Sequence, residues 1–146
     1  MHDGPDERAS ALLLVPAFLV IFVMIGGFVV DWSVAFLGVR EAANAAAAGA
    51  NDAAATALSV SEFQNGNRVV LDESRARAAA ARSIAVRDNG VLTDVEVTTV
   101  LLGPNRIRVT VRAKVRTIFS RGLPYADDTV AVKASATASA TSGGPP

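Results

Sequence analysis

The sequence has no cysteine, so neither a disulfide framework nor a thiolate metal site can be built from it. Its one histidine, His2, lies in the polar first ten residues. That leaves a histidine-centred triad or a histidine metal cluster without material. Charge of one sign is not in excess either: 14 Lys and Arg balance 14 Asp and Glu. A general nucleic-acid binder would show a basic surplus. Gly26-Gly27 is followed by no lysine and lies in apolar sequence, which rules out a phosphate loop. No nucleophile–base pair can be drawn. The expectation is therefore a protein that is not an enzyme, with no cofactor, no catalytic residues, no metal and no small-molecule substrate. Proline is absent between Pro16 and Pro104, so nothing in that interval forbids a long helix.

What is present begins with Ala11 to Val30, ALLLVPAFLVIFVMIGGFVV, 20 residues without a charge. About 20 suffice to cross the hydrocarbon core as a helix. A cleavable secretory signal has an apolar region of about 7–15 residues and a more basic start than the single Arg8. Nothing else in the chain is apolar enough to bury such a helix. The sequence thus divides into a short polar segment at 1–10, a transmembrane helix at 11–30, an α+β domain at 31–138 that begins as the helix continues, and a tail at 139–146 expected to be disordered. Arg8 before the span and Arg40 after it balance. The long downstream domain decides the expected orientation: a single-pass protein of the cell membrane, N-terminus cytoplasmic and C-terminal domain extracytoplasmic.

Small or polar residues then recur at helical spacing: Gly27, Asp31, Ala35, Gly38, Ala42, Ala45, Gly49 and Ala53. They form one stripe along which another helix or a sheet can approach closely. Asp31 has two readings, a residue at the water boundary or a charge that pairs with a neighbouring subunit when helices bundle. Trp32, just past the span, suits the interfacial belt.

Trp32 to about Leu58 should stay helical, with Gly49 and Asn51-Asp52 as weak points. Ser59 to Leu71 reads as a loop around the Asn65-Gly66 turn signal. Asp72 is an N-cap for a second helix that exits near Asp88-Asn89-Gly90. From there the period switches to two. Val91 to Leu102, Arg106 to Thr117 and Thr129 to Ala138 are three strands. In the second, Ile107, Val109, Val111, Ala113 and Val115 share one face. Parity sets the hairpin register: Val95, Val97 and Leu101 join that face only if the loop is odd, as with Gly103, Pro104 and Asn105. Glu96 then meets Arg112, and Asp94 meets Lys114, across the strands. Ile118 to Asp128 is a connection with Phe119, Leu123 and Tyr125 tucked against the domain. The expected fold is α+β: a long N-terminal helix with a transmembrane first half, a second helix and a three-stranded antiparallel sheet, pilin-like in outline.

Arg106, Arg108, Arg112, Lys114 and Arg116 line the other face of the second strand. They read as the solvated side of a half-exposed sheet, or as a docking surface for an anionic partner such as an envelope polymer. Asp127-Asp128 reads as a solvated pair, since calcium takes six or more oxygens.

Several strings resemble the TadE/TadG-like assembly proteins of Flp (tight-adherence) pili and related secretion machines. They are Arg8-Ala9-Ser10-Ala11, then Val30-Asp31 closing the span, then Gly38-Val39-Arg40 leading to Ala42-Ala43-Asn44-Ala45-Ala46-Ala47. The Leu71-Asp72 helix start and Val130-Ala131-Val132-Lys133-Ala134 are similar too. The resemblance implies a pseudopilin-like structural component acting by lateral packing of its long helix. Its partners would be the membrane and other pilus or secretion subunits, further copies of this chain included. Many members carry Gly after the first Arg and Glu a few residues into the apolar segment, where this chain has Ala9 and Leu14. That departure implies an uncleaved minor or accessory component.

Overall fold

Alanine, leucine and the other apolar residues between Pro5 and Thr56 form one unbroken helix, α1 (Pro5–Thr56), of 52 residues. At about 1.5 Å per residue it is roughly 78 Å long. The structure, a computed structural model, describes residues 5–58, 70–86, 90–124 and 126–141, with side chains from residue 14. The helix begins earlier than the polar start suggests, with Pro5 in its first turn, where a missing N–H leaves no helical bond unmade. Pro16 is accommodated inside it, and Gly49 and Asn51-Asp52 do not break it.

The second helix, α2 (Glu73–Val86), starts where its cap predicts. Asp72 Oδ1 accepts the Arg75 N–H at 3.0 Å and the Ser74 hydroxyl at 2.6 Å. Those two bonds, the Ser74 hydroxyl foremost, hold the Asp72 carboxyl below its ordinary range. Gly90, at φ +76°, takes the left-handed conformation of a chain reversal. The loop expected at 59–69, the exit residues Asp88 and Asn89, and Tyr125 lie outside the described residues.

Three strands follow: β1 (Thr93–Gly103), β2 (Arg106–Arg116) and β3 (Thr129–Ser139). They pair antiparallel in the order β1-β2-β3, so β2 is central. Among the described residues the fold is α+β, two helices on one face of a three-stranded meander.

The hairpin keeps the expected register over its body, with Glu96 opposite Arg112, Val97 opposite Val111 and Leu101 opposite Ile107. Its turn is shorter than expected. Gly103 rather than Leu102 pairs with Arg106, leaving Pro104-Asn105 as the turn. The register shift between Leu101 and Gly103 leaves Leu102 as the extra residue, and this restores the parity that a two-residue loop would destroy. A second shift lies between Thr93 and Glu96, where Asp94 has φ +52°. Even so, Asp94 reaches Lys114 at 3.0 Å, and Glu96 lies 3.8 Å from Arg112.

The core lies between sheet and helices. Ile107, Val109 and Val111 are its largest fully buried side chains. Opposite them are Ala42, Ala46, Ala50 and Ala53 of α1, Ala57 just past its end, and Ala76 and Ala80 of α2. Alanine here permits close approach where bulk would hold the layers apart. The last strand runs past the expected start of the tail: Ser139 pairs with Arg106, and Ala140 donates to the Asn105 carbonyl at 2.8 Å. The expected tail from 142 onward is outside the described residues.

Candidate functional site

The small-residue stripe of α1 faces inward. A Cβ on Gly27 would overlap the Phe119 ring, and one on Gly38 would overlap Val115 Cγ2. A Cβ on Gly49 would lie 3.2 Å from Ile84 Cδ1 of α2. Ala42, Ala45 and Ala53 are buried in the same seam, and Ala35 is half-buried beside it. The close approach that periodicity predicts is therefore made by the chain's own sheet and second helix. These residues are not open to a neighbouring helix in this arrangement.

Asp31 anchors the end of the domain nearest the apolar segment. Its Oδ1 accepts the N–H groups of Ile118 and Phe119, each at 2.8 Å, and its Oδ2 accepts the Ser120 N–H at 2.8 Å and the Ser120 hydroxyl. Those N–H groups open the 3₁₀ turn Ser120–Gly122, so a side chain 87 to 89 residues away satisfies donors that the turn cannot. The Ser120 hydroxyl, followed by the three backbone donors, holds the Asp31 carboxyl down at about 2 against an ordinary 3.8. Of the two readings of Asp31, neither names this partner. Only the tertiary fold brings residues 118–120 to it.

The flank of α1 beside this stripe is uncovered and apolar. Phe28, Trp32, Phe36 and Val39 follow one another at helical spacing and are all exposed, with the Phe28 and Trp32 rings 6.2 Å apart. Phe36 and Leu37, 63% and 56% exposed, lie beyond the expected end of the span. The spacing Phe28-Trp32-Phe36 was visible in the sequence, but the small-residue stripe next to it was the stronger signal.

The basic residues of β2 all point away from the helices. Lys114 and Arg112 are matched by Asp94 and Glu96, and these pairs are well exposed. Arg106, Arg108 and Arg116 have no ion pair among the described residues. Lys133 of β3, opposite Arg112, extends the positive surface. Between α1 and α2 an open cleft of about 410 Å³ is lined by Asp52, Thr56, Ala79, Arg82, Ser83 and Val86. Among the described residues no three His, Cys, Asp or Glu side chains are grouped to hold a metal ion.

One helix is long and apolar enough to cross a membrane, and almost nothing of its apolar window is buried in the protein. This is compatible with a membrane anchor. Comparisons with protein-family models, with curated proteins and with solved structures find no match.

Proposed function

We propose that this chain is a membrane-anchored, pseudopilin-like structural component of a pilus-assembly or secretion complex, and that it acts through lateral packing of α1 rather than through catalysis. The observation that carries this reading is the division of α1 into two faces. The small-residue face is covered by the chain's own sheet, the connection after β2 and α2, while Trp32, Phe36 and Val39 form an apolar surface past the span. Apolar residues on a helix that leaves the bilayer are expected to meet another protein surface. The resemblance to the TadE/TadG-like proteins agrees with it, with Ala9 and Leu14 favouring an uncleaved accessory subunit. The domain lies outside the cytoplasm and the N-terminus inside, as protease protection in intact cells would report.

The test is cross-linking in membranes. Because the chain has no cysteine, Phe36→Cys supplies a unique thiol. Cross-linked species should form from Phe36→Cys and not from Thr98→Cys on the outer face of the sheet. Equal yields at both positions, or none at either, would remove lateral packing through this face.

A second reading uses the basic sheet face. Arg106, Arg108 and Arg116 point outward without acidic partners among the described residues, which suits an anionic envelope ligand. Arg108→Glu combined with Arg112→Glu should then abolish salt-sensitive retention on an anionic polymer. Unchanged retention would sink this reading.

A further inference from the structure

The connection between β2 and β3 is tied to the helix at a depth that the span itself defines. Phe119 packs over Gly27, three residues inside Val30. At about 1.5 Å per residue this is about 4.5 Å within the apolar segment. Asp31 holds residues 118–120 there through their backbone. Side chains that would be out of place in water follow at the same level. Ile118 is 66% exposed, and Leu123, 41% exposed, shares a groove with the exposed Met24, Phe28 and Trp32. Between connection and helix runs an open groove of about 590 Å³, whose apolar lining includes Met24, Phe28, Trp32, Phe119, Leu123 and Val130. Its polar lining is Asp31, Thr117, Ser120, Asp127 and Thr129.

We infer that residues 118–124 are seated in the lipid–water boundary of the bilayer that α1 crosses, and that the groove is occupied by phospholipid of that leaflet. Apolar side chains at this depth gain by leaving water for acyl chains. Trp32 takes the interfacial position favoured by amphipathic rings. The domain is thus held at the membrane at two places, by its covalent helix and by this connection, which restricts how far it can tilt. The inference rests on the membrane-anchor reading of α1 and not on the pilus reading.

The experiment places a single environment-sensitive nitrobenzoxadiazole label in the full chain, reconstituted in phosphatidylcholine vesicles that contain doxyl-labelled phosphatidylcholine. Leu123→Cys and Ile118→Cys probe the connection, Thr98→Cys the outer sheet face and Val20→Cys the span. Both connection positions are exposed, so a label there leaves the core intact. The expected result is blue-shifted emission and strong quenching at Leu123→Cys, Ile118→Cys and Val20→Cys, with water-like emission at Thr98→Cys. If Val20→Cys is quenched while the two connection variants match Thr98→Cys, the anchor stands and the seating is overturned. If Val20→Cys is also water-like, the anchor reading fails and the seating with it. Quenching at Thr98→Cys as strong as at Leu123→Cys would mean that the whole domain lies on lipid, and would overturn the specific seating.

Discussion

A carboxylate that accepts three main-chain N–H groups and a hydroxyl is held in its ionised form. Asp31 does this where the helix leaves its apolar span. The folded chain holds this carboxyl at about 2, and its ordinary value is 3.8. The depressed value means that the bonds stabilise the fold fully above the ordinary value. That contribution is lost as pH falls from about 4 towards 2. Asp72, also lowered by its hydrogen bonds, acts in the same direction. A carbon NMR titration should therefore place the Asp31 midpoint near 2. Asp31→Asn should loosen residues 118–120 at neutral pH and flatten the acid limb of the stability profile. A midpoint at the ordinary value would mean that the clamp does not form. Asp94 shows a different residue-scale adjustment. Its φ of +52° is a conformation that Asp tolerates better than the β-branched residues common in strands. It sits at the register shift and still reaches Lys114.

Helix α1 is exposed and apolar over one stretch, as a membrane span would be, and a core layer over the next. Between Gly38 and Ala57 the inward residues are glycine and alanine because the sheet lies directly on them. Gly38→Leu must therefore displace Val115, and overpacking of this kind costs typically about 1–3 kcal/mol. Ala43→Leu, on the exposed side of the same helix, should change stability by less than about 0.5 kcal/mol. Urea unfolding of the full chain in detergent would separate the two, and equal midpoints would contradict the close seam. The same contrast explains how far the sequence could be read. Alternation, the Asp72 cap and the charge pairs of the hairpin are local or pairwise signals, and they locate the strands, the second helix and the body of the register. The shift at Leu102 was not legible, because a two-residue turn with one extra strand residue and a three-residue loop satisfy the same parity. Helical spacing marked the stripe but carried no information on whether its occupant was this chain or another. Asp31 was noticed for its position, yet its partners are 87 or more residues away and depend on how β2 runs back along α1.

At the scale of the whole molecule, the apolar segment and the domain share one helix but little of a core. The buried apolar side chains begin at Ala42, and the inward glycine Gly38 lies just before them. Gly27 is the one buried residue between 14 and 37. The domain should therefore fold without the span but not without the start of the exposed half of α1. A chain beginning at Asp31 keeps the clamp on residues 118–120, the Gly38–Val115 contact and every alanine of the seam. It loses only the support of Gly27 under Phe119. A chain beginning at Ala43 leaves Val115 uncovered and frees the clamped backbone donors. Fully exposing a side chain of that size costs about 1.5–3 kcal/mol. In a domain of this size each kcal/mol is worth several degrees of melting temperature, roughly 4–8 °C. Circular dichroism melting in mild detergent should show a cooperative transition for the chain starting at Asp31. The chain starting at Ala43 should melt at least about 6 °C lower, by the smaller of these figures. Were the two to melt together, residues 31–42 would contribute nothing to the domain, and α1 would be an anchor joined to an independent fold. Were the longer fragment not to fold at all, the span would belong to the core, despite the exposure of its side chains.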